Sequence, residues 1–138
     1  MRFFKGVVLF FLGGVGYVTL ECLWRGRSHS SMFLAGGTCF LLLGKLDKLR
    51  SRLFLPIRGL LGTGIITAVE LLTGLLFNRD HRVWDYRDLP ANFRGQICLR
   101  FSLLWIPLSL GAMTLHRFLN EKLRGFCHCA ICYFSKKV

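Results

Sequence analysis

Apolar residues come in four blocks separated by basic connectors. The first, residues 6–24, is long enough to cross the roughly 30 Å of a bilayer core at about 1.5 Å per helical residue. The second, residues 31–44, is apolar but short, so it makes either a thin, tilted span or a re-entrant segment. The third covers residues 53–77 and the fourth residues 97–115, with Pro107 near its middle. This pattern predicts an all-α integral membrane protein of about four transmembrane helices. Residues 1–118 form the helical domain and residues 119–138 a basic, cysteine-bearing cytoplasmic tail. Residues 45–52 place apolar side chains between charges, as in a turn lying on headgroups, and the connector of residues 78–96 holds Trp84, Tyr86, Pro90 and Phe93, suited to an interface.

Composition sharpens this picture. Hydrophobic residues make up 53% of 138, mean hydropathy is +0.47 and the formal net charge is +12. Such a charge raises the question of nucleic acid, but the basic residues sit at the ends of apolar blocks, where headgroups and the positive-inside effect account for them. The N-terminus, the 45–52 turn and the tail carry Arg2, Lys5, Lys45, Lys48, Arg50, Arg52, Arg117, Lys122, Arg124, Lys136 and Lys137. The opposite side carries Arg25, Arg27, Arg79, Arg82, Arg87 and Arg94, largely offset by Asp80, Asp85 and Asp88. The bias predicts both termini in the cytoplasm. Arg2 and Lys5 precede the first block, but no small-residue cleavage site follows, so it is read as a retained helix. Cys22, Cys39 and Cys98 lie within apolar blocks as small hydrophobes, and no disulfide framework follows.

Ionisable residues inside apolar blocks are the sharpest chemical signal, because desolvation makes each costly unless it meets a partner or water. They are Glu21, Arg58, Glu70 and Arg100. The topology brings Glu21, Glu70 and Arg100 to the external side, with His29 near them, while Arg58 can snorkel to cytoplasmic headgroups. Such a cluster fits the wall of an ion or substrate path, and it equally fits ion pairs that only hold helices together. His29, beside Ser28, Ser30 and Ser31 at a helix entry, suits a cap better than a catalyst. Gly13, Gly14 and Gly16, and Gly59, Gly62 and Gly64, follow no strand and lack a P-loop ending, so they read as helix-packing positions. Residues 13–27 and 62–79 echo one another: glycines, an acid some eight residues on, then a basic exit. Two like-oriented helical hairpins would give that echo. Cys127, Cys129 and Cys132 with His128 are the right ligand types for zinc but form a single compact group, so neither metal nor cofactor is expected. No catalytic spacing appears, and an enzyme is not expected.

Several stretches carry a family resemblance: Gly16, Tyr17 and Glu21; Arg25 with His29; Gly36 and Gly37; Trp84, Asp85 and Tyr86; then Asn92, Gly95, Gln96 and Leu99 through Trp105. Together they resemble small bacterial membrane proteins known as ABC-transporter type IV permeases, over roughly residues 6–118. The resemblance implies a multi-pass protein of the bacterial inner membrane with a role in transport. It marks Glu21, Arg25, His29, Trp84, Asp85, Asn92, Gln96 and Arg100, which join Glu70 from the apolar-block reading as candidate residues of a substrate or ion path. The implied partners are the bilayer, further copies or another membrane subunit, and a separate ATP-binding subunit, with no nucleic acid. A membrane scaffold or assembly factor, and a holin-like pore former, are the rival readings.

Overall fold

The computed structural model describes the backbone of residues 2–135 and the side chains of residues 3–125. Four helices hold about 74% of the chain: α1 (Arg2–Arg25), α2 (Ser30–Asp47), α3 (Leu55–Phe77) and α4 (Leu99–Ser135). A two-stranded antiparallel ribbon, β1 (Asn92–Phe93) and β2 (Ile97–Cys98), precedes α4.

Local chemistry sets the helix ends. Gly26, at φ +71°, follows the last residue of α1, and its N–H donates to the Cys22 carbonyl at 2.8 Å, which closes the helix in the left-handed conformation glycine tolerates. His29 then caps α2: its extended backbone lets Nδ1 accept from the Ser31 N–H at 3.2 Å. Pro56 in the first turn of α3 costs no hydrogen bond, because that N–H has no partner within the helix. In the ribbon's turn Arg94 and Gly95 both take positive φ, 53° and 64°. α4 runs through residue 118 without a break, so the expected tail begins as a continuation of the fourth helix.

The helices run alternately up and down. α2 is the central element, packed against each of the other three, and this resolves its shortness: Met32, Phe40 and Leu43 are buried against neighbouring helices. α1 rests chiefly on α2, and α3 on α4. Glycines let the axes approach. A Cβ at Gly14 or Gly37 would sit 2.7 Å from Phe33 or Phe10, and one at Gly62 would sit 2.6 Å from the Ser109 hydroxyl. In both hairpins the first helix thus turns glycines toward the second. Gly16 and Gly64 differ from expectation, since a Cβ there would meet nothing within 4 Å.

α1 and α3 are long and apolar enough to cross a membrane, and little of either is buried within the bundle. Their outward faces carry large apolar side chains, including Phe11, Leu20, Leu23, Leu60, Leu72 and Leu76.

Candidate functional site

The end of the bundle that bears the connector is built around Asn78, the residue following α3 and 1% exposed. Its Nδ2 donates to the Trp84 carbonyl at 2.6 Å and to Gln96 Oε1 at 3.1 Å, while its Oδ1 accepts from the Val83 N–H at 2.8 Å. Gln96 returns a bond from Nε2 to the Asn78 carbonyl at 2.9 Å, and Trp84 Nε1 donates to the Gln96 carbonyl at 2.8 Å. Every side-chain polar group of these three residues is answered, as burial demands. The knot seats on Gly74, where a Cβ would come within 3.1 Å of the Trp84 ring and closer still to Gln96. Trp84 and Gln96, expected at a path, therefore fasten the connector to α3. Asn92 does similar work at the surface, donating to the carbonyls of Arg87 and Leu89 and accepting from the Gly95 N–H. Asp85 pairs with Arg87, whose guanidinium holds the carboxyl down at about 2 from an ordinary 3.8.

Beneath the connector lies Glu70. Tyr86 Oη donates to its Oε1 and Trp105 Nε1 to its Oε2, each at 3.1 Å. Tyr86 stacks on Phe101 with ring centroids 4.9 Å apart, and Trp105 lies beside Tyr17 of α1, so the carboxyl sits in an aromatic-walled recess formed by three helices and the connector. Burial, and then the charge of Glu70, push the Tyr86 phenol above its ordinary range, so it remains a donor. Sequence reasoning found Glu70 but not Tyr86 or Trp105. Their signal was a polar tip on an aromatic body, the kind of donor a half-buried acid needs.

The expected meeting of Glu21, Glu70 and Arg100 does not form. Glu21 is held by Arg25, one helical turn on, and by the Ser28 hydroxyl, and Arg25 also donates to the Val83 carbonyl at 3.2 Å. Arg100 is exposed and enters no ion pair among the described residues. The helical turn explains this: Trp105 faces α3, and Arg100, five residues earlier, lies on another side of α4. His29 is the cap of α2 and takes no part in the Glu70 recess.

A second cluster, unforeseen, occupies the other end. Asp47, 5% exposed, accepts from Arg58 on one oxygen and from Arg117 on the other, the latter at 3.2 Å. Arg58 is thus tied into the bundle, whereas snorkelling to headgroups was expected. Asp47 lay within a run of basic residues expected to form a turn lying on headgroups, which hid its role. The cleft beside it is lined by residues of α2, the following turn and α4. Cys127, Cys129 and Cys132 lie outside the described side chains.

A family model described as "Putative ABC-transporter type IV" matches residues 5–134. The chain belongs to this family. The match covers all four helices, so the family's description applies to the whole bundle and not to a segment of it. Comparison with curated proteins and with solved structures finds no match. Family membership and two membrane-capable helices together indicate a membrane location for this ABC-transporter type IV protein.

Proposed function

We propose that this chain is a permease-like subunit whose four helices all span the bilayer, with Glu70 on the wall of its solute or ion path. The observation that carries the reading is Glu70 itself: an acid within the apolar helix α3, answered by two neutral donors and by no ion-paired cation among the described residues. An intramembrane acid held in no ion pair, with Arg25 acting on it only from a distance and itself paired to Glu21, is a group a permeating cation or polar solute can engage. α2 supports the four-span layout. Its 18 residues extend about 27 Å, near the thickness of the hydrocarbon core, and its shielding by three neighbours lowers the apolarity it needs. The basic excess around residues 45–52 and along the far part of α4 favours that end as cytoplasmic, with both termini inside. A bundle this thin encloses little room, so further copies or another membrane subunit complete the path, and a separate ATP-binding subunit supplies the energy the family name implies.

A scaffold reading finds support in the Asn78, Trp84 and Gln96 knot, whose side-chain polar groups are engaged with one another and with neighbouring backbone. Proteoliposomes separate the two. With a potassium diffusion potential and an internal pH-sensitive dye, wild type is expected to pass protons or monovalent cations and Glu70→Gln, incorporated equally, to pass at least about tenfold less. Silence from wild type reconstituted together with the membrane and ATP-binding subunits that co-purify with it, alongside normal folding of Glu70→Gln, would favour the scaffold. Single cysteines at Lys48 and Asp88 test the layout, since labelling from the same side of the membrane rejects it.

A further inference from the structure

The cleft at the end opposite the connector bears on a ligand that neither the family nor the Glu70 recess assigns. It has a volume near 400 Å³ and lies between the end of α2, the turn after it and α4. Lys48, Arg50, Arg117 and Arg124 line it together with the Asn120 amide, and Gly44 with the His116 ring completes the lining. Asp47 is the single acid there, and both its oxygens are already taken, by Arg58 and Arg117. Lys48, Arg50 and Arg124 enter no ion pair among the described residues. The cleft therefore holds cations in excess around a neutral hydrogen-bond donor, with Arg117 fixed in place by Asp47. That is the chemistry of a phosphate site.

We propose that this cleft binds the phosphate of an anionic phospholipid headgroup. Lipid, in preference to free phosphate, is argued from what interleaves with the cations: Leu49 sits between Lys48 and Arg50, and Phe118 follows Arg117, and these are 46% and 54% exposed. A headgroup in the cleft would leave its acyl chains against such side chains, which a soluble ion does not need. The choice of lipid rests on the bilayer-spanning reading above, while the phosphate chemistry does not.

The test uses the full chain in phosphatidylcholine nanodiscs with a minor share of phosphatidylglycerol of the same acyl chains, reading bound lipid by native mass spectrometry. Wild type is expected to retain phosphatidylglycerol selectively. A basic side chain near a headgroup is worth about 1 kcal/mol, roughly fivefold, so the double variant K48Q/R124Q should lose selectivity roughly thirtyfold. The variant R79Q/R82Q, at the connector end, should retain it. Lys48 and Arg124 are exposed, so circular dichroism of the double variant should match wild type. Equal selectivity in wild type and K48Q/R124Q overturns the proposal. Displacement of the lipid by an equal concentration of inorganic phosphate overturns the lipid assignment and points to a soluble phosphate. Failure of the bilayer-spanning reading shows separately, as a wild-type protein that does not float with vesicles of pure phosphatidylcholine.

Discussion

Asn78→Ala isolates what burial adds to a hydrogen bond, because Asn92 makes nearly the same bonds at the surface. Both amides donate twice to acceptors within 3.2 Å and accept once from a backbone N–H within 3.1 Å. Asn78 is 1% exposed, whereas Asn92 stands in solvent. Truncating Asn78 strands the Trp84 carbonyl, the Gln96 amide oxygen and the Val83 N–H. An orphaned buried group costs about 1–3 kcal/mol. Gln96 can relax and Val83 is only half-buried, so the loss should be about 3 kcal/mol. Truncating Asn92 lets water replace each bond and should cost about 0.5–1 kcal/mol. Equilibrium unfolding in mixed micelles, read by far-ultraviolet circular dichroism and by the tryptophan emission that Trp84 contributes, measures both. Equal losses for the two variants would refute the claim that the knot is held by buried, mutually satisfied groups.

Other expectations use the same logic. Gly62→Leu should push α3 off Ser109 and Met113, costing about 1–3 kcal/mol, while Gly64→Ala, with open space around it, should stabilise by about 0.5–1 kcal/mol in the same unfolding assay. Asp47→Ala leaves Arg58 and Arg117 without their shared partner and should cost about 3 kcal/mol, more than Arg117→Ala, which leaves Asp47 paired with Arg58. For Asp85 the folded carboxyl titrates at about 2, below its unfolded value, so its pairing is fully present above about pH 4 and is lost as pH falls through 2. Carboxyl NMR should place the midpoint near 2 in wild type and higher in Arg87→Gln, though still below the ordinary 3.8 because the backbone N–H of residue 87 continues to donate to the carboxyl.

Four helices, the approximate ends of all but the last, and most of their packing glycines were legible from the chain, because apolar periodicity, caps and small residues are local signals, whereas α4 continues to Ser135 and Gly16 and Gly64 face open space. Residues 6–24, 31–44, 53–77 and 97–115 each lie within or nearly within a helix, and His29 caps as its serine neighbours suggest. Glu70 was legible as well, since an acid in an apolar run announces a partner. Which partner it has was decided only in three dimensions. Arg100 lies on the wrong side of its helix, whereas Tyr86 reaches Glu70 because the Asn78 knot folds the connector down over α3. Trp84, Asn92 and Gln96 carry a family resemblance in the sequence, but only the fold shows their hydrogen bonds within and beneath the connector, and only the fold makes Asp47, one residue of a stretch read as lying on headgroups, the hub for two arginines. Helix formation depends on neighbours a few residues apart, which the sequence contains directly. The pairing of a buried polar group depends on the rotation of each helix about its axis, and that is set by how all four pack together.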